Sequence, residues 1–479
     1  MEYLVDMNTD KRRWVALIIL CLGVLMIVLD TTIVNVALPS LRVDLGFTQT
    51  SLAWVINAYI LTFGGFLLLG GRLGDIFGNR KLFLIGLAFF TAASVACGIS
   101  GSQTMLIVSR AIQGLGGAIV SAVALSLIMN LFTIPAERAK AMGVYSFVAS
   151  AGGSIGVLLG GFLTDNLNWH YIFLVNLPLG ILVFLLCFFM LPKDAEGSSD
   201  KHVDTWGAVT ITASLLLAVY AIINGNERGW ISIATIGLLA IALLLLFIFI
   251  RIESRVGSPL MPLHLFRKRA VLIANVVGIL WSAGMFAWFF LSALYLQLIL
   301  GYSASQVGLS FLPSNLIMAA FSLGLSAKIV MRFGIRKSLT FGLSLVTIGL
   351  LLLARAPVGG SFLMDILPSM LLLGLGAGIS FNPMLLAAMS DVEPSESGIA
   401  SGIVNTAFMM GGSLGLAILA SVAASRTASL TRSGVEAIAS LNSGYHAAFL
   451  VGTVFVALAA IIAGTFLRSD QAIQSTEAH

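Results

Sequence analysis

The sequence predicts an all-α polytopic membrane protein of the two-bundle type, with two six-helix halves and an extra two-helix hairpin between them, fourteen transmembrane helices in total. Three observations predict it. The 479 residues are 58% hydrophobic and only 10% charged, against about 25% charged in soluble domains. Apolar runs long enough for a helical span, about 20 residues, follow one another along the whole chain. Two short patterns recur at nearly one offset in the first and second halves.

Taken in order, the spans are expected at roughly 14–38, 51–70, 82–100, 104–131, 141–164, 170–191, 204–223, 231–250, 270–299, 304–327, 338–355, 361–385, 397–424 and 444–467. Runs of this length favour helices over a membrane barrel, whose strands are short and alternating. Lys11-Arg12-Arg13 precedes the first span, which is too long for a secretory leader and lacks a small-residue cleavage site. That span is expected to stay, with both termini cytoplasmic. Under this topology only Arg42, Arg228, Arg355, Arg426 and Arg432 fall on the outer side, and Arg110 falls within the membrane. The remaining Lys and Arg residues are cytoplasmic, as the positive-inside rule requires. One span more or fewer would turn Lys328, Arg332, Arg336 and Lys337 outward.

The net charge of +5 is therefore an orientation signal, and no nucleic-acid partner is expected. Cys21, Cys97 and Cys187 all lie in apolar runs, so no disulfide framework is expected. The five histidines have no ligand spacing, and neither a metal nor a cofactor is expected.

The repeat is read from two matches. Gly78-Asn79-Arg80-Lys81 returns as Gly334-Ile335-Arg336-Lys337, and Gly152-Gly153-Ser154-Ile155-Gly156 returns as Gly411-Gly412-Ser413-Leu414-Gly415. The expected division is 1–191 for the first half, 192–252 for the linker and hairpin, and 253–479 for the second half. Parallel six-helix repeats are a transporter architecture with the substrate site between the halves.

Asp30 is the residue that points most directly to function. It lies sixteen residues after Trp14, roughly 24 Å into a hydrocarbon core of about 30 Å. A charge there costs roughly 2.5–3.5 kcal/mol even on a lenient insertion scale. Arg110 enters from the opposite direction and reaches a similar depth, so the two are expected to meet. A paired arginine favours the carboxylate while burial favours the neutral acid, and a residue balanced between them can take up and release a proton. A static ion pair fixing two helices is the alternative. Thr31, Thr32 and Asn35 follow Asp30; Asn35 is a candidate for the outer mouth of a pathway, and Pro39 is read as the end of the helix. Gln113, Gly114 and Gly117 share a face with Arg110, and Gln113 is a candidate for the cavity lining. The Gly-rich run there follows no strand, so no nucleotide loop is expected.

The loop Gly71-Arg72-Leu73-Gly74-Asp75-Ile76-Phe77-Gly78-Asn79-Arg80-Lys81 joins the second and third spans. Gly71, Gly74 and Gly78 permit a tight turn. Asp75 among the basic residues Arg80 and Lys81 suggests a conformational latch and not only a positive-inside anchor. Gly152, Gly156, Gly160 and Gly161 give the fifth span a smooth packing face. Trp281, Met285, Trp288 and Phe289 lie near one face of the ninth span, and with Phe381 and Asn405 they are the candidate lining of a substrate cavity. Aromatic and methionine surfaces adapt to varied apolar ligands.

Taken together these motifs resemble the major facilitator superfamily, and more narrowly its fourteen-helix drug:proton antiporter branch. The run Leu29 to Pro39 is similar to the branch's first-helix signature, whose aspartate is implicated in proton coupling. Gly71 to Lys81 resembles the superfamily's second loop, and Arg110 with Gln113 and Gly114 resembles the fourth-helix motif. Trp169 to Pro178, including Asn176, looks like the opening of the sixth helix. Val157 stands where the branch's fifth-helix motif has proline, and Met331 stands where the second-half loop would match Asp75. The resemblance implies a bacterial inner-membrane exporter that trades protons for small amphipathic organic compounds, works as a monomer in the lipid bilayer, and is no enzyme. Export of one endogenous metabolite is the alternative it leaves, with import a further one.

Overall fold

The computed structural model describes residues 2–132, 134–191, 204–257, 259–321, 325–393 and 397–467; within them some side chains, that of Asp75 included, lie outside the description. The described residues form helices and no strands. In chain order the helices are α1 (Glu2–Leu45), α2 (Trp54–Phe77), α3 (Asn79–Gly98), α4 (Gln103–Leu131), α5 (Pro135–Asn166), α6 (Tyr171–Leu174), α7 (Asn176–Met190), α8 (Thr205–Arg228) and α9 (Ile233–Glu253). They continue as α10 (Arg269–Leu298), α11 (Ala304–Ala320), α12 (Ser326–Phe333), α13 (Ile335–Leu353), α14 (Leu367–Met389), α15 (Ser397–Arg432) and α16 (Ala437–Phe466).

Twelve helical segments among the described residues are long and apolar enough to cross a membrane. Neither α5 nor α11 is among the twelve, so the expected count of fourteen is not reached by that measure. The reason is local: α11 is only 17 residues long and residues 322–324 beyond it are not described, while many side chains in the first half of α5 lie outside the description.

Local chemistry sets the boundaries. The Met105 amide donates to the Ser102 hydroxyl at 3.2 Å, and the Thr235 amide donates to Ser232 at 3.2 Å. Ser303 and Gln306 form a reciprocal capping box at the start of α11. The two copies of the first repeat perform the same task. Gly78 (φ 95°) breaks α2 from α3, and Gly334 (φ 81°) breaks α12 from α13, in a left-handed conformation that side chains disfavour.

The second repeat also has one geometric meaning. Gly156 lies against Leu29 and Thr32 of α1, while Gly411 and Gly415 lie against Ile279 and Ala283 of α10. In each case a Cβ on the glycine would fall within 3 Å of the neighbouring helix, so the glycines let the fifth helix of each group press against its first.

Pro39 does not end α1, contrary to the reading from sequence; the helix runs on to Leu45 with the proline inside it. Membrane helices tolerate proline where neighbouring helices re-satisfy nearby backbone groups. Here Gln297 of α10 reaches across and donates to the Val36 carbonyl at 3.0 Å, within the same turn.

That bond is one of several joining the first group of helices to the second. The Ser413 hydroxyl of α15 donates to Asn57 Oδ1 of α2 at 2.9 Å. Gly308 of α11 sits on the Val157 carbonyl of α5, and Gly161 sits on Ala304 and Ser305. At the same crossing the Ala304 and Ser305 amides donate to the Asp165 carboxylate at 3.1 and 2.8 Å. A carboxylate from α5 thus caps the N-terminus of a helix in the other group. The hairpin α8–α9 packs on both α2 and α15, with Asn226 donating to the Ser421 carbonyl and hydroxyl, both at 2.8 Å.

Partial burial works against the Asp165 carboxylate, but the hydrogen bonds from Ser305, Ser303 and the Ala304 amide outweigh it and hold its pKa below the usual range. A lowered carboxylate pKa means the contact is intact above the ordinary aspartate value and is lost as pH falls through the lowered one. Asp165→Ala should therefore loosen this closure at neutral pH. Spin labels at the exposed positions Leu167 and Leu309 should show a longer, broader distance distribution than in the parent protein. An unchanged distribution would assign the closure to the glycine contacts alone.

Candidate functional site

The site is built around the expected pair. Asp30 of α1 has no exposed surface and Arg110 of α4 has 1%. Arg110 Nη1 donates to Asp30 Oδ2 at 2.5 Å. The other carboxylate oxygen accepts from Gln113 Nε2 at 2.7 Å and from Asn176 Nδ2 of α7 at 3.1 Å. Three donors satisfy the lone pairs of one buried carboxylate, and hydrogen bonds to ions are roughly twice as strong as neutral ones.

The arginine is satisfied from other directions. Its Nε donates to the Val55 carbonyl of α2 at 3.0 Å, and Nη1 also donates to Gln113 Oε1 at 2.6 Å. The guanidinium lies 4.4 Å from the centre of the Tyr59 ring and 5.7 Å from that of Phe173. Desolvated cation–π contacts are worth about 2 kcal/mol.

Ser94 of α3 closes the network. It accepts from Gln113 Nε2 at 3.0 Å and from Asn176 Nδ2 at 2.9 Å, and donates to the Phe173 carbonyl at 2.9 Å. Cys97 donates more weakly to Gln113 Oε1, at 3.7 Å. Side chains or backbone of α1, α2, α3, α4, α6 and α7 therefore converge on one carboxylate. The Tyr59 hydroxyl is buried beside it with no hydrogen-bond partner.

Gln113, expected on a cavity wall, is fully buried inside this network. Asn35, expected at an outer mouth, is largely buried and donates to Thr31 and Thr32 carbonyls of its own helix, both at 3.3 Å. Ser94, Tyr59 and the Val55 carbonyl were not singled out from sequence. Asn176 stood out only as part of a motif. Nothing in composition separates these from the ordinary hydroxyls and amides of membrane helices.

The residues expected as a loop are helical except Gly78: Gly71 to Phe77 end α2 and Asn79 to Lys81 open α3, and their contacts divide. Gly71 lies over Ala122 of α4, and Gly74 lies against Asn79 and Val123, with no room for a Cβ beside the Asn79 side-chain oxygen Oδ1. Arg80 donates to the Phe188 carbonyl at 2.5 Å, near the C-terminus of α7, and its guanidinium lies 5.8 Å from the Phe188 ring. A cation at a helix C-terminus is favourable. Lys81 also has an interaction partner. The Asp75 side chain, central to the latch reading, is outside the described residues.

On α5, Gly152 and Gly160 pack on α1 as Gly156 does, against Leu25 with Val28 and against Ile33 with Val36, while Gly161 faces α11. The aromatic residues form two groups on α10. Trp281 makes edge contacts with Phe408 at 5.2 Å and Phe381 at 6.2 Å between ring centres. Trp288 and Phe289 group instead with Phe311 of α11, Phe289 stacking on it at 5.4 Å. Trp281 and Trp288 are both 1% exposed, and both indole N–H groups are buried without a partner. Met285, Phe289 and Asn405 are half-buried, and Phe381 is exposed.

Close approach of α4 to α2 is what brings Arg110 to the Val55 carbonyl. A Cβ on Gly114 would lie 2.3 Å from both the Tyr59 carbonyl oxygen and the Thr62 hydroxyl. Gly114→Ala should force the helices apart, costing about 1–3 kcal/mol by overpacking. Its unfolding midpoint in detergent should fall, and transport should fall with it. A variant of parental stability and activity would show that the helix pair has slack there.

Comparison with known proteins places this geometry in a family. The chain is 37% identical over 472 residues to the puromycin resistance protein pur8 of Streptomyces alboniger, covering 96% of this chain and 92% of that one. It is 37% identical over 450 residues to the cephamycin export protein CmcT of Amycolatopsis lactamdurans, covering 93% and 91%. Among solved structures, a bacterial homolog of the human lysosomal transporter Spinster, inward-facing and unoccupied, superposes with a TM-score of 0.68 at 16% identity, covering 96% and 97%. That last likeness shows the fold alone. The family model described as Major Facilitator Superfamily matches residues 20–416, and the chain belongs to that superfamily.

Proposed function

We propose that this chain is a proton-coupled antiporter that exports amphipathic organic compounds across a bacterial cytoplasmic membrane by alternating access. The observation that carries the reading is the fully buried Asp30 carboxylate held by Arg110, Gln113 and Asn176. The names of the relatives supply the direction and the substrate class: both are named for resistance to, or export of, an antibiotic. With α5 and α11 counted as spans the chain crosses the membrane fourteen times, with both termini cytoplasmic. The working unit is a monomer of two six-helix halves, 1–191 and 253–479, joined through the 192–252 segment.

In this reading a proton from the outside neutralises Asp30. Arg110 then loses its counter-charge but keeps the Val55 carbonyl, the Gln113 oxygen and the Tyr59 face. α1 and α4 are freed to shift, and the halves rock about their shared faces. Loss of the proton inward restores the ion pair. The loop Gly71–Lys81 acts as a latch, with Arg80 tying α3 to the end of α7. A second reading, export of one antibiotic-like metabolite, is favoured by relatives each named for a single compound; a drug panel against a single-compound assay separates the two.

The test is efflux from proteoliposomes under an imposed pH gradient. Asp30→Asn should fold yet reduce gradient-driven transport to the level of empty liposomes. Arg110→Ala should do the same, and Arg110→Lys should recover little, since lysine keeps the charge but loses the planar fork that serves Asp30, Gln113 and Val55 together. Gradient-driven efflux by well-folded Asp30→Asn would remove the coupling role.

Substrate charge supplies a further expectation. Asp30 is already compensated by three donors, and no other acid lies deep in a span of the described residues; Asp365 sits in the π-helical segment Phe362–Ile366 at the start of its span, accepting from the Ser361 amide at 2.7 Å. A dication would enter with its second charge uncompensated, a cost of several kcal/mol in a low-dielectric site. Neutral or monocationic lipophilic compounds should therefore be exported in preference to dications. Matched mono- and bis-quaternary compounds decide this, and a preference for the bis compound would overturn it.

A further inference from the structure

Away from that network, a second pair of buried acids joins the hairpin to the chain that follows it. Asp204 caps α8, accepting from the Gly207 amide through Oδ1 at 2.7 Å. Glu253 ends α9 and accepts from the Met261 amide through Oε2 at 3.2 Å. Both residues are 4% exposed. Each therefore has one oxygen occupied by a backbone donor. The remaining oxygens, Asp204 Oδ2 and Glu253 Oε1, are buried with no donor.

These two oxygens converge. A Cβ on Gly207 would lie 2.2 Å from Asp204 Oδ2 and 3.1 Å from Glu253 Oε1. Glycine is the residue that leaves room for both carboxyls. Two carboxylates in contact and out of water cannot both stay ionised, and the arrangement is relieved when one proton is shared between them. Among the described residues no basic side chain hydrogen-bonds to either free oxygen. Arg251 lies over the Phe247 ring at 5.1 Å, and Arg72, Arg255 and Arg267 are exposed. A metal ion would need more oxygen ligands than two, and among the described residues no third acid, histidine or cysteine joins the pair.

We infer that Asp204 and Glu253 form a proton-binding pair, a carboxylic acid hydrogen-bonded to a carboxylate, that clasps the hairpin to the segment leading into α10. The clasp has a mechanical consequence. Leu260, beside Met261, is buried against Ala208 of α8 and Leu69 of α2, so the clasped segment also touches the first group of helices. Losing the proton places two like charges at the joint and loosens the 254–263 segment there. The clasp faces the cytoplasm under the topology proposed above, so it reports cytoplasmic pH, and it is independent of Asp30.

The test uses the full chain in lipid nanodiscs. Infrared difference spectra between mildly acidic and alkaline pH should show a protonated-carboxyl band that disappears on alkalinisation. That band should be absent in Glu253→Gln and in Asp204→Asn. The thermal unfolding midpoint of the parent should fall as pH rises over the same range. Glu253→Gln should lose that fall, because its amide donates permanently to Asp204 where the proton had been. Glu253→Ala should be less stable at every pH. If the variants fold poorly, hydrogen exchange of 254–263 in the parent should increase with pH beyond the intrinsic rate. Retention of the band or of the alkaline destabilisation in Glu253→Gln would overturn the proposal. So would stabilisation of the parent at alkaline pH by sodium or calcium ions that Glu253→Gln does not share, since that assigns the pair to a metal ion.

Discussion

A carboxylate with no access to water sets the terms for the first group of helices. Once Asp30 is placed in the membrane interior, its charge must be matched by a cation and its lone pairs by donors. Arg110 supplies the first, and Gln113 and Asn176 supply the rest. Each partner then has requirements of its own. Arg110 needs the Val55 carbonyl and an aromatic face, and Asn176 and Gln113 both turn to Ser94. Satisfying one buried acid thereby fixes the relative positions of α1, α2, α3, α4 and α7. The glycines of α4 and α5 follow from that demand, since the helices must approach closely for these short side chains to reach.

The second group shares the scaffold and lacks the charge. Gly374 of α14 packs on the backbone of Ser314 in α11 much as Gly114 of α4 packs on Tyr59 in α2. Four residues before Gly114 stands Arg110, whereas four residues before Gly374 stands Met370, buried among apolar neighbours. The glycine architecture is thus common to both groups, and the ionic network belongs to the first. The interior of α10 carries aromatic rings and two unpartnered indole N–H donors. Such donors suit a ligand bearing an acceptor.

How much of this was legible in the sequence follows from how unusual each residue is in its setting. Asp30 and Arg110 were legible because charge in an apolar run is rare, and counting the helical rise put them at matching depth. The glycine repeats were legible because short patterns at one offset are improbable, and they mark the same helix pair in each group. Ser94 and Tyr59 were not distinguishable, and Asn176 only as part of a motif, since hydroxyls, amides and tyrosines occur throughout membrane helices and acquire meaning only when the fold gathers them around a charge. Pro39 misled for a related reason. A proline need not stop a membrane helix whose turn is held by a neighbour, and the neighbour here, Gln297, which bonds Val36 in the same turn, is far away in the chain. The aromatic residues of α10 share a helix face by count, yet Trp281 turns to α14 and α15 while Trp288 turns to α11.

The contacts between the two groups differ in kind from those within the first. They include the Ser413–Asn57 and Gln297–Val36 hydrogen bonds, the Asp165 cap on α11, and glycine-to-backbone contacts. The two neutral side-chain bonds contribute a net 0.5–1.5 kcal/mol each, roughly. Breaking the Asp30–Arg110 pair by moving a helix would strand a charge in the bilayer at a cost of about 3–5 kcal/mol. Movement of α1 against α4 therefore carries the cost of a stranded buried charge, which the contacts between the groups do not. Under the proposed coupling, neutralising Asp30 would lower that cost without touching the contacts between the groups, and a single proton would change how the first group presents α1, α2 and α5 to its partner.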